Sequence, residues 1–338
     1  MNSEFKLRLR IAAERLRLFG VGRAALQRFA GSVRRAFPTM SDEEAAALYV
    51  RHRMSMRKFA LIRQHLETLP LPDLNTFLDR QVRIEGEEHL DALRHSDDPV
   101  IFVTPHYGNF PAGCLKLIKE IGYFKTVNAF YNPPAKNRTS EGFEALFQRL
   151  GYGFHALFND ETAVLKALRV LKRGEALTMM PDVFDISGHV LYVPFFGRLV
   201  PAMAGTAMFA LKGRATVIVG YNCPGEGLSS TLKLGRPLQV ERTGDLEADI
   251  ALLTGAIFRE LEAQICAAPE HWIYLPSIGD LLADRLAVLP AAPETWIARL
   301  EAAMPQFEAV VPEWPAILDE LKSMPLSAGA DADRCREA

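Results

Sequence analysis

Short, continuous apolar runs alternate with segments of helical periodicity from residue 100 to about residue 221. The two clearest runs, 100–104 and 176–180, have the length of strands that are buried on both faces of a parallel sheet. Further strands are predicted at 124–131, 153–158, 191–195 and 215–221, and helices at 111–121, 141–150, 162–172 and 203–211. Strands and helices in this alternation favour an α/β fold, with a mostly parallel central sheet flanked by helices and an N-terminal helical extension.

Residues 1–37 are strongly basic, with nine Lys or Arg side chains against two Glu, whereas the rest of the chain is acidic. Apolar residues at spacings of four, three, four and three place one apolar side on a helix here: Phe5, Leu9, Ala12, Leu16 and Phe19. Such a helix suits an anionic membrane interface, where each basic residue contributes about 1 kcal/mol. The alternative is that it packs on the domain with its arginines in solvent.

The chain divides into three predicted regions. A capping-box pattern at 41–44 predicts a helix that runs to about Glu67 and ends at the prolines that follow. A polar helical stretch then leads to the turn at 97–99. After residue 289 the chain is rich in Ala and Pro, with helices predicted at 296–303 and 314–322 before a frayed end. We expect a helical extension at 1–95, an α/β core at 96–285 and a helical tail at 286–338.

Composition argues against several classes of function. A formal net charge of −2 argues against a globally basic nucleic-acid binder, because neutralising phosphates needs an excess of Lys and Arg. The four cysteines are scattered without a CxxC pair or zinc-type His spacing, which predicts no metal site and a reduced compartment. Because no apolar run reaches about 20 residues and no secretory apolar region stands at the N-terminus, we expect a soluble or peripheral protein.

The most informative stretch is TPHYGNF at 104–110, which places His106 in a Gly-containing loop between a buried strand and a helix. A histidine can take the proton of a hydroxyl or amine as that group attacks a carbonyl. Ligands of parallel sheets bind where the carboxyl ends of strands meet their loops, and both His106 and Asp182 fall at such ends. Asn109 either caps the helix that follows, the favoured interpretation, or donates a hydrogen bond to a substrate oxygen.

Four motifs occur in one order: HYGNF at 106–110, GE at 174–175 before a strand that ends in PD at 181–182, VPFFG at 193–197, and PEHWIY at 269–274. Together they resemble the lysophospholipid acyltransferase superfamily, in its branch of lipid A biosynthesis acyltransferases and related phosphatidylinositol mannoside acyltransferases. The resemblance covers about 101–280. It implies transfer of a fatty acyl group from an acyl carrier protein or coenzyme A thioester to a hydroxyl of a lipid acceptor, at the cytoplasmic membrane face and without a metal or cofactor.

The first departure from the family concerns the acid that orients the histidine. The family carries Asp or Glu five residues after its histidine, whereas this chain has Pro111 there. Loss of such an acid can cost orders of magnitude in rate. The resemblance makes Asp182 the natural substitute and Asp185 the second choice. The alternative for Asp182 is a turn or cap residue after the strand.

The second departure concerns arginines. Where the family carries paired arginines after its C-terminal tryptophan motif, this chain continues from Trp272 as IYLPSI. Arginine forks bind phosphate bidentately, so their loss argues against a phosphorylated saccharolipid as acceptor. The hydrophobic N-terminal anchor common in that branch is also missing, and the basic helix stands in its place. A smaller, less anionic or carrier-bound acceptor fits better.

Several further residues are candidates for substrate binding. Phe195, Phe196 and Gly197 either line a tunnel for the acyl chain or acceptor or form a packed strand end. Arg198 is a candidate for binding a carboxylate or phosphate, or else lies in a solvated loop. Trp272 belongs to this group through the resemblance, and Cys114 is expected in the core.

These observations support an acyltransferase that uses His106 as general base and Asp182 to orient it, with backbone groups or Asn109 stabilising the oxyanion. Its partners would be a thioester donor, a lipid or small-molecule acceptor and, through 1–37, the inner face of the cell membrane; no nucleic acid or cofactor is expected. The main alternative is a non-catalytic homologue that binds acyl chains or lipids or serves as a partner subunit. A hydrolase that uses the same histidine is the third hypothesis.

Overall fold

The computed structural model describes residues 3–17, 22–131, 139–183, 190–196 and 198–283, together with Pro315 and Asp319. In these ranges the α-helices are α1 (Ser3–Arg17), α2 (Arg23–Val33), α3 (Asp42–Thr68), α4 (Leu71–Gln81), α5 (Glu87–Arg94), α6 (Phe110–Ile121), α7 (Thr139–Gln148), α8 (Ala163–Lys172), α9 (Gly205–Gly213), α10 (Leu246–Ala267) and α11 (Ile278–Ala283). The strands are β1 (Val82–Glu85), β2 (Val100–Val103), β3 (Val127–Tyr131), β4 (Phe154–Phe158), β5 (Ala176–Met179), β6 (Val190–Phe195), β7 (Arg198–Met203), β8 (Thr216–Pro224) and β9 (Ser230–Pro237).

Seven of these strands form one sheet in the order β1-β9-β8-β2-β5-β3-β4. Every neighbouring pair in it is parallel except β8 and β9. Strand β2 lies in the middle, with Ile101 and Val103 in one hydrophobic core and Val100 and Phe102 in the other. A strand that buries both faces in this way has helices on both sides of its sheet. The predicted α/β class, with a mostly parallel central sheet, is confirmed.

Three strands were not predicted from the sequence. Strand β1 falls in the stretch that was predicted as a polar helix, and it pairs with β9 at the edge of the sheet. Strand β9 alternates buried and half-buried residues over 230–234, while β7 pairs with β6 in a separate antiparallel hairpin. A four-residue strand such as β1 is too short for periodicity to separate it from a helix.

The first helix packs on the domain through a different face from the predicted apolar one. Leu7 and Ile11, four residues apart, are buried beside α3 and α4. Phe5 and Leu9 are 50% and 51% exposed. Residues two apart lie on nearly opposite sides of a helix, so α1 carries two apolar faces and buries one of them. No helix in the described part of the chain is both long enough and apolar enough to span a membrane.

The long helix α3 begins as predicted. The Ser41 hydroxyl accepts a hydrogen bond from the Glu44 backbone N–H at 3.2 Å, and the Glu44 carboxylate accepts one from the Ser41 N–H at 2.8 Å. This reciprocal capping box satisfies two backbone donors at the start of the helix. The predicted tail helices fall outside the described ranges apart from Pro315 and Asp319, and the three-region division stays a prediction.

Candidate active site

The loop after β2 presents His106 to a cavity, and a second segment of the chain fixes its backbone. Gly108 donates a backbone hydrogen bond to the carbonyl of His271 at 2.9 Å, and Ile273 donates one to the carbonyl of His106 at 3.0 Å. Gly108 has a positive φ of 57°, and a Cβ there would lie 2.2 Å from the carbonyl oxygen of Asn222. This glycine is therefore required both by its left-handed conformation and by the close approach of the neighbouring strand.

His106 and Asp182 are hydrogen-bonded. The Nδ1 atom of His106 lies 2.8 Å from Oδ1 of Asp182, and the backbone N–H of His106 donates to Oδ2 at 2.8 Å. Trp272 donates its indole N–H to the same Oδ2 at 3.0 Å. The Asp182 side chain is fully buried, whereas the His106 side chain is 20% exposed. With Nδ1–H directed at the carboxylate, Nε2 is the nitrogen that remains free to accept a proton.

The fold explains why Asp182 occupies this place. Strand β5 lies next to β2 and runs parallel to it, with Met179 opposite Val103. The segments that follow the two strands therefore leave the sheet at the same edge. Asp182 follows in a short 3₁₀ turn, Pro181–Val183. Pro111 lies in the first turn of α6, where it supplies no acid. Asp185, the second choice for the orienting acid, lies outside the described residues.

The aromatic residues around this pair form a packed layer behind Asp182. Phe195 and Phe196 contact the Trp272 ring at centroid distances of 6.1 and 6.5 Å, and all three are buried. Among the described residues, none of these three belongs to the wall of the cavity beside His106. The structure therefore places them in a packed strand end that supports Asp182, and gives them no contact with the cavity. Gly197 and the Arg198 side chain lie outside the described part of the chain.

Asn109 does not act as the predicted side-chain cap. It stands at the N-cap position of α6, but its side chain makes no cap hydrogen bond. Its Oδ1 atom is buried without a hydrogen-bond partner among the described residues. Its backbone carbonyl accepts a bond of 2.7 Å from the Asn222 side chain. Asn109 lines a small cavity of about 10 Å³ with Lys58 and not the larger cavity beside His106.

That larger cavity has a volume of about 660 Å³ and extends from His106 between the sheet and its helices. Most of its wall is apolar, including Phe110, Cys114, Ile118, Phe143 and Phe147. Cys114, which was expected in the core, packs against one of the two hydrophobic cores and also borders this cavity. Burial raises the pKa of its thiol to about 12, so the thiol is neutral at physiological pH. The polar residues of the wall include His106, Arg63 and Asp160, and the large apolar remainder fits a ligand that has a long hydrocarbon chain.

Two polar residues of the cavity wall were not predicted as site residues: Tyr274, the last residue of the 269–274 motif, and Arg63, which gave no signal in the sequence. The ring of Tyr274 contacts the His106 ring at a centroid distance of 5.2 Å, and burial raises the pKa of its hydroxyl to about 12. The Arg63 guanidinium lies 5.6 Å from the Phe143 ring centroid, and its Nε is buried without a hydrogen bond within the described ranges. A single arginine on a long polar helix has no pattern that would mark it as part of a site.

Helix α3 contacts the segment 268–273, which is hydrogen-bonded to the loop that carries His106. The Ser55 hydroxyl lies 2.8 Å from Nδ1 of His271, and Nδ1 of His52 lies 3.1 Å from the carbonyl of Glu270. The Tyr107 hydroxyl donates to the carbonyl of Ala268 at 3.0 Å. Burial lowers the pKa of both His52 and His271, which favours their neutral forms. These contacts fix the position of the loop from which His106 projects.

The comparison with protein families matches residues 14–277 to the model described as "Bacterial lipid A biosynthesis acyltransferase". The match covers well over half of the chain and includes His106, Asp182 and the segment 269–274. The comparison with curated proteins gives no match.

Proposed function

The chain belongs to the bacterial lipid A biosynthesis acyltransferase family, and from this premise we propose that it transfers a fatty acyl group from a carrier-protein or coenzyme A thioester to a hydroxyl or amine, with His106 as general base. Membership in the family implies acyltransferase activity with an acyl donor and a lipid acceptor, and a place in lipid biosynthesis. The observation that carries the finer proposal is the 2.8 Å hydrogen bond between His106 and Asp182 beside an apolar cavity of about 660 Å³.

The proposed step begins with the acyl chain in the cavity and the thioester carbonyl beside His106. The acceptor oxygen attacks the carbonyl carbon while Nε2 of His106 takes the hydroxyl proton. The Asp182 carboxylate holds the ring in the required tautomer and stabilises the imidazolium that forms. The C–S bond then breaks, and the sulfur takes the proton from the imidazolium. The products are an acyl ester and a free thiol, and His106 is again neutral.

The developing oxyanion needs a hydrogen-bond donor in the cavity. The backbone N–H groups of His106, Tyr107 and Gly108 already donate to other atoms. The Asn109 side chain lines a different cavity. We assign this role to the Tyr274 hydroxyl, which stays protonated at neutral pH because burial raises its pKa to about 12. Tyr274→Phe should lower kcat by about 10²-fold or more with little change in stability, and an unchanged kcat would refute the assignment.

The proposed place of reaction is the inner face of the cell membrane. The support is helix α1, on which Phe5 and Leu9 are exposed next to Lys6, Arg8 and Arg10. An apolar strip between basic side chains binds an anionic lipid interface. The acceptor is a lipid or small molecule. The missing arginine pair after Trp272 still argues for an acceptor with little phosphate, although Arg63 supplies one cation to the cavity wall.

The test is product analysis by mass spectrometry after incubation with acyl carrier protein and coenzyme A thioesters and a panel of acceptors. Transfer should be lost in His106→Ala and kept in His95→Ala, a matched change of an exposed histidine outside the cavity. Transfer that persists in His106→Ala would refute the general-base proposal. Release of free fatty acid without an acceptor would indicate the hydrolase instead.

One observation favours a second candidate, a non-catalytic acyl-binding or partner subunit. Pro111 stands where the family carries an acid, so Asp182 must supply the whole orienting function. If the purified chain binds acyl thioesters equally well with His106 or Ala at position 106 and neither form turns them over, this second candidate replaces the first.

A further inference from the structure

A second concave site lies nearer the N-terminal end of helix α3 than the cavity beside His106 (the acyl cavity): residues 49–57 of α3 line the second site, whereas Phe59 and Arg63 line the acyl cavity. It is an open groove of about 940 Å³ between α2, the first half of α3 and the segment 276–280. Pro276 lines the groove and Tyr274 lines the cavity, and two residues span at most about 7 Å. The two sites are therefore neighbours with separate walls.

The charges of this groove are unbalanced. Four arginines line it against one carboxylate, Asp280: Arg28, Arg35, Arg53 and Arg57. Two of them have partners, since Arg35 donates to the carbonyl of Gly279 at 3.2 Å and Arg57 lies 3.9 Å from Glu14. Arg28 and Arg53 have no ion pair within the described ranges. A concave wall with one sign of charge concentrates counter-ions, so this groove attracts anions.

The side chains also indicate what kind of anion fits. Guanidinium forks match the oxygens of a phosphate bidentately, and Arg53 is held over the Tyr49 ring at 5.8 Å. Phe29, Tyr49 and Met56 add apolar wall beside the arginines. The volume is larger than a lone phosphate needs, and the apolar wall suits an organic group attached to it. A flat membrane surface would not fill a concave site, whereas a single headgroup can enter it.

We propose that this arginine groove binds a phosphate ester, carried either by a phospholipid headgroup or by a soluble molecule. The site is distinct from the acyl cavity, and the proposal does not depend on acyl transfer. Arg28 and Arg53, the two groove arginines that have no ion pair within the described ranges, make the main contacts with the phosphate. Arg35 and Arg57 contribute to the local field while they keep their protein partners.

The experiment measures binding of glycerol phosphate and inorganic pyrophosphate to the full chain by calorimetry. The test variant is Arg28→Gln with Arg53→Gln, which spares the contacts of Arg35 and Arg57. The matched control is Arg83→Gln with Arg236→Gln, which removes the same charge from exposed positions at the β1–β9 edge. We expect Kd for both probes to rise about tenfold or more in the test variant and to stay within about twofold in the control.

A second arm separates the two sources of the phosphate. If a headgroup is the ligand, the test variant should lose the binding to vesicles of phosphatidylglycerol in phosphatidylcholine that the wild-type chain shows. If only the soluble probes lose affinity, the ligand is a soluble ester. If the double variant does not fold, Arg28→Gln alone serves, because Arg28 is exposed.

Two results would overturn the proposal. One is equal loss of affinity in the test and control variants, which would mean that net charge and not the groove decides binding. The other result concerns an acidic carrier protein that lacks its phosphopantetheine. If this protein binds the wild-type chain and the test variant abolishes that binding, the groove recognises carboxylates. Activity of the enzyme enters neither result, so the failure of this proposal is distinguishable from the failure of the proposed acyl transfer.

Discussion

Replacement of Asp182 by Asn is the sharpest test of the proposed chemistry, because the structure determines how the amide must lie. The carboxylate accepts two hydrogen bonds at Oδ2, from the His106 backbone and from Trp272, and one at Oδ1 from the His106 ring. An amide has one acceptor oxygen and one NH₂ group. If the oxygen keeps the two donors that now meet at Oδ2, the NH₂ group faces Nδ1 of His106.

In that arrangement Nδ1 must accept a hydrogen bond, so the proton of the neutral ring moves to Nε2. The ring then has the tautomer that cannot take a proton from the acceptor. The same exchange in a Ser-His-Asp hydrolase lowers kcat about 10⁴-fold, which corresponds to about 5 kcal/mol of transition-state stabilisation. We expect a loss of this order in kcat for Asp182→Asn. KM for the donor should change little, because Asp182 is fully buried behind the cavity wall.

The control is Asp249→Asn. Asp249 is also buried, and its carboxylate accepts bonds of 2.6 Å from Arg242 and from the Thr243 backbone, far along the chain from His106. Both variants lose charge-assisted hydrogen bonds, so each should lose about 1.5–3 kcal/mol of stability, measured by denaturant unfolding. Only Asp182→Asn should lose kcat. A kcat for Asp182→Asn within tenfold of the wild-type value, in a folded protein, would refute the assigned role of this carboxylate.

Three further outcomes are expected. Cys114→Phe should narrow the cavity beside His106 and shift the products to shorter acyl chains, because each methylene that no longer fits loses about 0.8 kcal/mol of burial. An unchanged chain-length profile of the products by mass spectrometry would contradict this use of the cavity. Phe5→Ser with Leu9→Ser should weaken sedimentation with anionic vesicles and leave Tm nearly unchanged. Leu7→Ala should instead cost about 2–5 kcal/mol of stability, because Leu7 is buried. Vesicle binding of the Phe5/Leu9 double variant equal to that of the wild-type chain would exclude α1 as the membrane contact. Burial lowers the pKa of His52, so the unfolded chain binds more protons below about pH 6.5 and stability should fall as pH drops through that range; thermal melts of His52→Gln should show a flatter pH dependence, and an identical slope would assign the effect to other groups.

The positions of strands and helices followed largely from local patterns. The apolar runs at β2 and β5 are typical of central parallel strands, and the structure places the two strands side by side, with β2 buried throughout and β5 buried at Ala176 and Leu177. The capping box at Ser41 and Glu44 depends on residues three apart, so it is visible in the sequence. The placement of His106 and Asp182 is also visible in the sequence, because each follows a strand and the carboxyl ends of these two strands meet at one edge of the sheet.

Other features depend on contacts between distant parts of the chain. The pairing of β1 with β9 joins residues 82–85 to residues 230–233, and neither segment alone has a pattern that specifies it. Asn109 follows a local cap pattern, yet its backbone carbonyl and not its side chain is engaged, by Asn222 from a different strand. The motif around Trp272 suggested a contact with substrate, and the indole instead donates to Asp182 from behind the site.

By itself, the sequence determined the α/β class, the sheet-edge placement of His106 and Asp182, and the basic character of the N-terminal segment, because periodicity, strand ends and charge are local properties. Only the tertiary structure decided which face of α1 is buried, which residues form the cavity beside His106 and that four arginines converge on one groove. These features depend on side chains that packing brings together from separate helices and strands. Such contacts produce no periodic pattern in the sequence, so they cannot be predicted from it.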